Sequence, residues 1–112
     1  FLGGEYSNTG RRVGGHFPIA MIEKFVFSVS FFGTDGFKDL DGPGTQTKDA
    51  IALNAAVMRR SKTNVLLADS SKFALPSRFQ YARFNEFDAF ITNEMPADYG
   101  GKIDAKQVII TK

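Results

Sequence analysis

The chain has 112 residues, enough for one hydrophobic core, and its 43% hydrophobic and 23% charged residues exclude both a disordered segment and a bundle of membrane spans. Fourteen basic residues against 12 acidic ones leave a formal charge of +2, scattered along the chain, so no electrostatic footprint for nucleic acid is visible. With no cysteine there is no disulfide, thiolate metal site or cysteine nucleophile, and with one histidine a zinc site would need three carboxylates; neither a metal nor a cofactor is expected.

The chain opens on Phe1-Leu2-Gly3-Gly4, without an initiator Met and in what reads as the end of a strand, which predicts a piece of a longer protein. Residues 5–15, polar and Gly-punctuated around Arg11-Arg12, read as a long turn or hairpin, and Pro18 fits the first turn of a short helix over 19–24. Residues 26–32 (VFSVSFF) are β-branched and aromatic, apolar on both faces apart from two Ser, as expected of a central strand buried between two helix layers. Residues 33–45 (GTDGFKDLDGPGT) are too rich in Gly, Pro and Asp for a helix or strand and read as a loop. Residues 46–61 form the best helix: Ala-rich, free of Gly and Pro, with Thr45 or Thr47 as N-cap, Asp49 in the first turn and Arg59-Arg60 in the last.

A second central strand follows at 64–68 (NVLLA), then a turn at 69–72 (DSSK). Alternation of Phe79, Tyr81 and Arg83 with Gln80 and Ala82 suggests a short extended segment, and 89–92 (AFIT) and 108–111 (VIIT) read as two further strands with one helical turn between them. The strand–helix–strand rhythm gives the class: α/β, with a mainly parallel sheet flanked by helices. No apolar run approaches the ~18 residues of a membrane span and no signal peptide is present, so a cytoplasmic protein with no membrane partner is expected. Twelve Phe and no Trp make the core aromatic; Phe79, Phe84 and Phe87 fall in a segment of little regular structure, where they serve either as core or as an exposed partner surface.

In open parallel sheets ligands bind past the carboxyl ends of the strands. Two loops qualify. Gly33, Thr34, Asp35 and Gly36 follow the first strand and offer close backbone approach, a hydroxyl and a carboxylate that accepts from vicinal sugar hydroxyls. Asp69, with Ser70, Ser71 and Lys72, follows the second and offers a carboxylate, two hydroxyls and an ammonium, so together they suit a polar, anionic small molecule. Each also has a structural reading, the first as a tight turn and the second as a helical cap. His16 lies in a Gly-rich turn with no acid at catalytic spacing and reads as a surface residue. Asn54 lies within the apolar arc of the 46–61 helix, where an unpaired amide costs about 1–3 kcal/mol, so it needs either a backbone carbonyl from a neighbouring loop or a ligand.

The runs FFGTDGF, Gly44-Thr45, the Ala-rich helix ending Val57-Met58, VLLADSSKF and FDAFITN, with FLGGEY and RRVGGHF upstream, resemble the C-terminal effector domain of the DeoR-type sugar-operon repressors across nearly the whole chain. The resemblance implies a Rossmann-like fold similar to ribose-5-phosphate isomerase and a domain that senses a phosphorylated sugar. It also implies that residues 1–112 are a partial effector domain, truncated at its N-terminus. The winged helix-turn-helix that binds operator DNA, and a first Gly/Thr-rich anion loop, would lie before Phe1.

Against the isomerase pattern, Phe32 stands where the first Asp of an Asp-Gly-Ala-Asp-Glu loop would be, Gly36 replaces its Glu, and only Asp35 is retained. A Lys-Gly-Gly-Gly-Gly segment has no counterpart in residues 42–45, and the helix-borne base would fall near Asp49 or Ala50. Losing most of the groups that move protons argues for binding without turnover. The expectation is therefore a homo-oligomeric sensor with Gly33, Thr34, Asp35, Gly36, Asp69 and Lys72 at the ligand and no catalytic residue; the competing readings are a sugar-phosphate isomerase-like enzyme and a structural fragment that only oligomerises.

Overall fold

The computed structural model of the chain describes residues 6–8, 11–13 and 19–111. β1 (Tyr6–Asn8) and β2 (Arg11–Val13) pair antiparallel with Asn8 opposite Arg11, the hairpin expected there. His16 and Pro18 lie outside the described residues. The single-turn α1 (Ile19–Ile22) sends Ile22 into the core. Then come β3 (Phe27–Phe32), β4 (Gly44–Thr45), α2 (Asp49–Arg59), β5 (Ser61–Leu67), β6 (Phe79–Gln80), β7 (Ala89–Thr92) and β8 (Val108–Ile110), with 3-10 turns at Ser70–Phe73, Phe84–Glu86 and Ala97–Tyr99.

The main sheet is a parallel α/β sheet of order β3-β5-β7-β8, with α2 as the crossover between its first two strands. Register sets Phe32 beside Leu66 and Leu66 beside Phe90, so these side chains share one face. All three are buried, with Ala56 and Val57 of α2 in the same core. On the other face Val29, Phe31 and Leu67 are 45%, 44% and 42% exposed. The strand at 26–32 is therefore not a central strand covered on both sides: β3 is an edge among the described strands, and one of its faces is open. Apolar residues on both faces make a strand fit for burial but do not supply a second layer. α2, the only described helix longer than one turn, covers the opposite face.

α2 begins at Asp49, later than the sequence suggests, and its N-cap is Lys48, which makes no side-chain capping bond. Thr45 cannot serve as cap because it is a β4 residue paired with Phe79; its Oγ1 instead accepts from the Thr47 amide at 3.3 Å. The same pairing corrects two further expectations. The loop at 33–45 contains a strand, and the extended run at 79–83 contributes only Phe79–Gln80, antiparallel to β4 and outside the main sheet. Close packing of that loop on residue 82 requires Gly42, since a Cβ there would sit 1.8 Å from the Ala82 carbonyl oxygen.

Aromatic rings fill the core edge to face. Phe37, from the loop after β3, meets Phe73 at 4.8 Å and Phe84 at 5.2 Å between centroids, and lies 6.1 Å from both Phe90 and Tyr99. Phe84 and Phe87 are 1% and 0% exposed, so they are core residues and not a partner surface, and Phe79 is half-buried.

Candidate functional site

The four parallel strands end on the same side, and residues beyond each of them border one cleft of about 490 Å³. Gly33 and Thr34 come from the end of β3, Ala68, Asp69 and Lys72 from that of β5, Asn93 from that of β7 and Thr111 from that of β8, over an apolar floor that includes Leu67 and Ile91. Four of these residues, Gly33, Thr34, Asp69 and Lys72, are legible in the sequence; Asn93 and Thr111 are not, and the strand-end rule reaches them once β7 and β8 are counted as parallel.

Asp69 caps the 3-10 turn Ser70–Phe73. Its Oδ1 accepts from the Ser71 amide at 2.9 Å and from the Ser71 hydroxyl. These two bonds, with the nearby Lys72 charge, hold the carboxyl below the usual carboxylate range, so Asp69 is an anion at neutral pH. The Ser70 amide donates to Asn93 Oδ1 at 2.7 Å, which ties the turn to the end of β7 and leaves the Asn93 amide nitrogen for other partners. Lys72 is half-buried and forms no salt bridge with a described residue. Both readings of the DSSK turn therefore hold at the level of geometry: Asp69 caps, and Lys72 faces the cleft.

The loop after β3 is built around the Thr34 hydroxyl. Its oxygen accepts from the amides of Gly44 at 2.9 Å and Gly36 at 3.2 Å, while its proton faces the carbonyls of Gly44 and Gly36. A hydroxyl has one proton and two lone pairs, so the Thr34 side chain is fully engaged and only its backbone is available to a ligand. Gly36 is buried at φ +155°, and a Cβ there would lie 2.2 Å from the Leu75 carbonyl oxygen. It shapes the loop and borders neither this cleft nor the pocket beside it.

That second pocket, about 460 Å³, shares Gly33 and Thr34 with the cleft and is completed by Asp35, Gly44, Thr45, Asn54 and Tyr81. Asp35 and Lys72 thus stand on opposite sides of a common wall. Asp35 is exposed; its Oδ2 accepts from the Gln46 amide at 2.8 Å. The buried Tyr81 hydroxyl donates to the Gly33 carbonyl oxygen at 2.6 Å. Burial, reinforced by the Asp35 charge, pushes its pKa far up, so the phenol stays protonated and is no base. Asn54 finds no backbone carbonyl: it has no side-chain hydrogen-bond partner among the described residues, and its half-buried amide lines this pocket. Thr45 and Tyr81 carry no sequence signal for this place, since each arrives through the β4–β6 pairing and its continuation. Among the described residues no three His, Asp or Glu side chains are grouped to hold a metal ion.

The sequence model of one protein family, the DeoR C terminal sensor domain, matches residues 1–94, a span that holds both pockets except for Thr111. Searches of curated proteins and of solved structures returned no match.

Proposed function

The chain belongs to the DeoR C terminal sensor domain family, and from that premise we propose that it is the effector-binding part of a transcription regulator of carbohydrate metabolism whose effector is a phosphorylated sugar. The observation that carries this reading is Lys72, a half-buried cation without a salt bridge to a described residue, in a cleft on which all four parallel strands converge. Lys72 receives the anionic end, and its charge lies near the Asp69 carboxylate that caps the same turn. Asp35 and the backbone of residues 33–35 take the sugar hydroxyls.

The effector acts by shifting the population of a homo-oligomer competent to bind operator DNA through a separate N-terminal winged helix-turn-helix, in the cytoplasm. The open apolar face around Val29, Phe31 and Leu67 supports self-association. No described helix is long and apolar enough to cross a membrane.

The site binds without turnover. Aldose–ketose isomerisation needs a base between two carbons. Asp49, the nearest candidate on α2, borders neither pocket, Ala50 has no titratable group, and Tyr81 is protonated. The test is a thermal-shift panel of pentose and hexose phosphates beside their parent sugars, since a ligand at 100 times its Kd adds about 2.7 kcal/mol of stability. Stabilisation by phosphorylated members alone, with no interconversion detected in the same solutions, is the expected result. Equal shifts by the parent sugars remove the phosphate from the proposal, and turnover replaces the sensor with an enzyme.

A further inference from the structure

Asn54 is a half-buried carboxamide on α2, one turn before the buried Val57, and it makes no side-chain hydrogen bond to a described residue. Its amide atoms are not sealed from solvent, Asn64 Oδ1 being the buried side-chain atom without a partner among the described residues, so a ligand can meet Asn54 in place of water. Asn54 borders the pocket that also holds Asp35.

The chemistry of that pocket is specific. Asp35 commits Oδ2 to the Gln46 amide and retains Oδ1, and an ionised carboxylate only accepts. Tyr81 gives its proton to Gly33, so its oxygen has only acceptor capacity left. The Thr45 oxygen accepts from the Thr47 amide, which leaves its proton to donate. Asn54 offers two donors and an acceptor on one planar group, where Thr45 adds a single proton and one remaining lone pair. No cation among the described residues lines the pocket, so it offers phosphate nothing to pair with there; it suits an uncharged group that presents several hydroxyls at once. Its shared wall with the Lys72 cleft makes the two pockets halves of one site, anion on one side and polyol on the other.

We propose that Asn54 is a specificity-determining residue that reads the hydroxyl pattern of the sugar opposite Asp35; this rests on the sugar-phosphate reading above. Asn54 is better placed for that than Asp35, because a helix packed into the core holds its side chain in a fixed frame while Asp35 lies on an exposed loop. A site built to hydrogen-bond a hydroxyl rejects the analogue lacking it strongly, because the polar group is then left unpaired.

The experiment is calorimetry on the full 112-residue chain with four probes: inorganic phosphate, D-glucose 6-phosphate, D-galactose 6-phosphate and 2-deoxy-D-glucose 6-phosphate. Wild type is compared with Asn54→Leu, which nearly conserves volume within an apolar arc, with Asn54→Ala, and with Lys72→Met; thermal melts confirm folding. The expected result is at least tenfold discrimination among the three sugar phosphates by wild type, collapsing to within about threefold in both Asn54 variants, with affinity for inorganic phosphate unchanged. If discrimination survives both substitutions while Lys72→Met weakens every probe, Asn54 is not the reader and the sugar-phosphate reading stands. Wild type that binds the sugar phosphates no better than inorganic phosphate overturns the role of Asn54 directly. Failure of all four probes to bind overturns the sugar-phosphate reading with it.

Discussion

The Tyr81 hydroxyl donates to the Gly33 carbonyl oxygen across 2.6 Å, so a side chain 48 residues further along the chain fixes the point where β3 ends. Gly33 belongs to both pockets, and this bond therefore positions their common wall. Tyr81→Phe keeps the ring packed 6.4 Å from Phe32 but leaves the carbonyl without that donor. Urea unfolding at pH 7 is expected to show a loss of about 1–2 kcal/mol, the range for one buried hydrogen bond. An unchanged midpoint would show that water replaces the phenol.

Phe37 is the ring on which the aromatic core centres, and Phe37→Ala is expected to cost about 3–5 kcal/mol, a large share of the roughly 5–15 kcal/mol that holds a small domain folded. Val29→Thr, on the open face, keeps the β-branch and, at a dilution where the chain is a monomer, is expected to stay within about 0.5 kcal/mol of wild type. Near-UV circular dichroism and urea midpoints compare the two; a costly Val29→Thr would mean that the open face is covered in solution.

The Asp88 carboxylate accepts from the Asn64 amide at 2.7 Å and lies 3.2 Å from Lys106 Nζ, and the bond from Asn64, more than the cation, holds its carboxyl below the usual range. A depressed folded pKa gives stability that is complete above the unfolded value, about 3.9, and is lost as pH falls through the folded one. Wild type should therefore weaken in urea from about pH 4 downward. Asp88→Ala strands the Asn64 amide and starts about 1–3 kcal/mol lower at pH 7, and its gap to wild type should narrow towards pH 2. A constant gap would point to packing as the cause.

Asp35→Ala should weaken a bound sugar phosphate by ~2 kcal/mol, since hydrogen bonds to an ionised acceptor are the strong ones. Lys72→Met should weaken the phosphorylated sugar and flatten the salt dependence of its binding. Calorimetry at two ionic strengths reads both, and an effector whose affinity ignores both substitutions does not occupy this site.

The chain by itself should not select operator sequences. It carries no basic stripe, so any DNA binding measured by fluorescence anisotropy should be weak and fall steeply with salt. Salt-resistant, sequence-selective binding would assign DNA recognition to this domain.

The apolar end of β5, with β7 and β8, is legible in the sequence as short apolar runs bounded by turn residues, and α2 because Ala-rich sequence and end charges agree; the polar start of β5, Ser61 to Thr63, is not, and Ser61 reads there as the end of the helix. The open face at Val29 and Phe31 is not legible, because hydrophobicity records fitness for burial and not the presence of a covering layer. The β4–β6 pair escapes for a different reason: two residues carry no periodicity, and their pairing depends on distant chain. That pair moves the helix cap to Lys48 and brings Tyr81 to the site. Strand-end logic finds Asp69 and Lys72, and the Asn54 amide stands out as a polar residue on an apolar arc, but the shared wall between the pockets is knowledge that only coordinates supply.

Every neighbour in the main sheet is parallel, and the first ladder joins Phe27 to Ser61 across the whole of the intervening loop and α2. No pair of adjacent strands in the main sheet can zip up from a tight hairpin. The chain must close a long loop, at a cost in entropy, before any ladder bond rewards it, and the same holds for β5 with β7 and β7 with β8. Assembly is accordingly governed by non-local contacts: α2 can form early, while the strand ends that make the site are assembled only as the sheet closes. Nascent chains thus expose the apolar strands 61–67 and 89–92 during the slowest stage of folding, which makes this interval the one most open to aggregation.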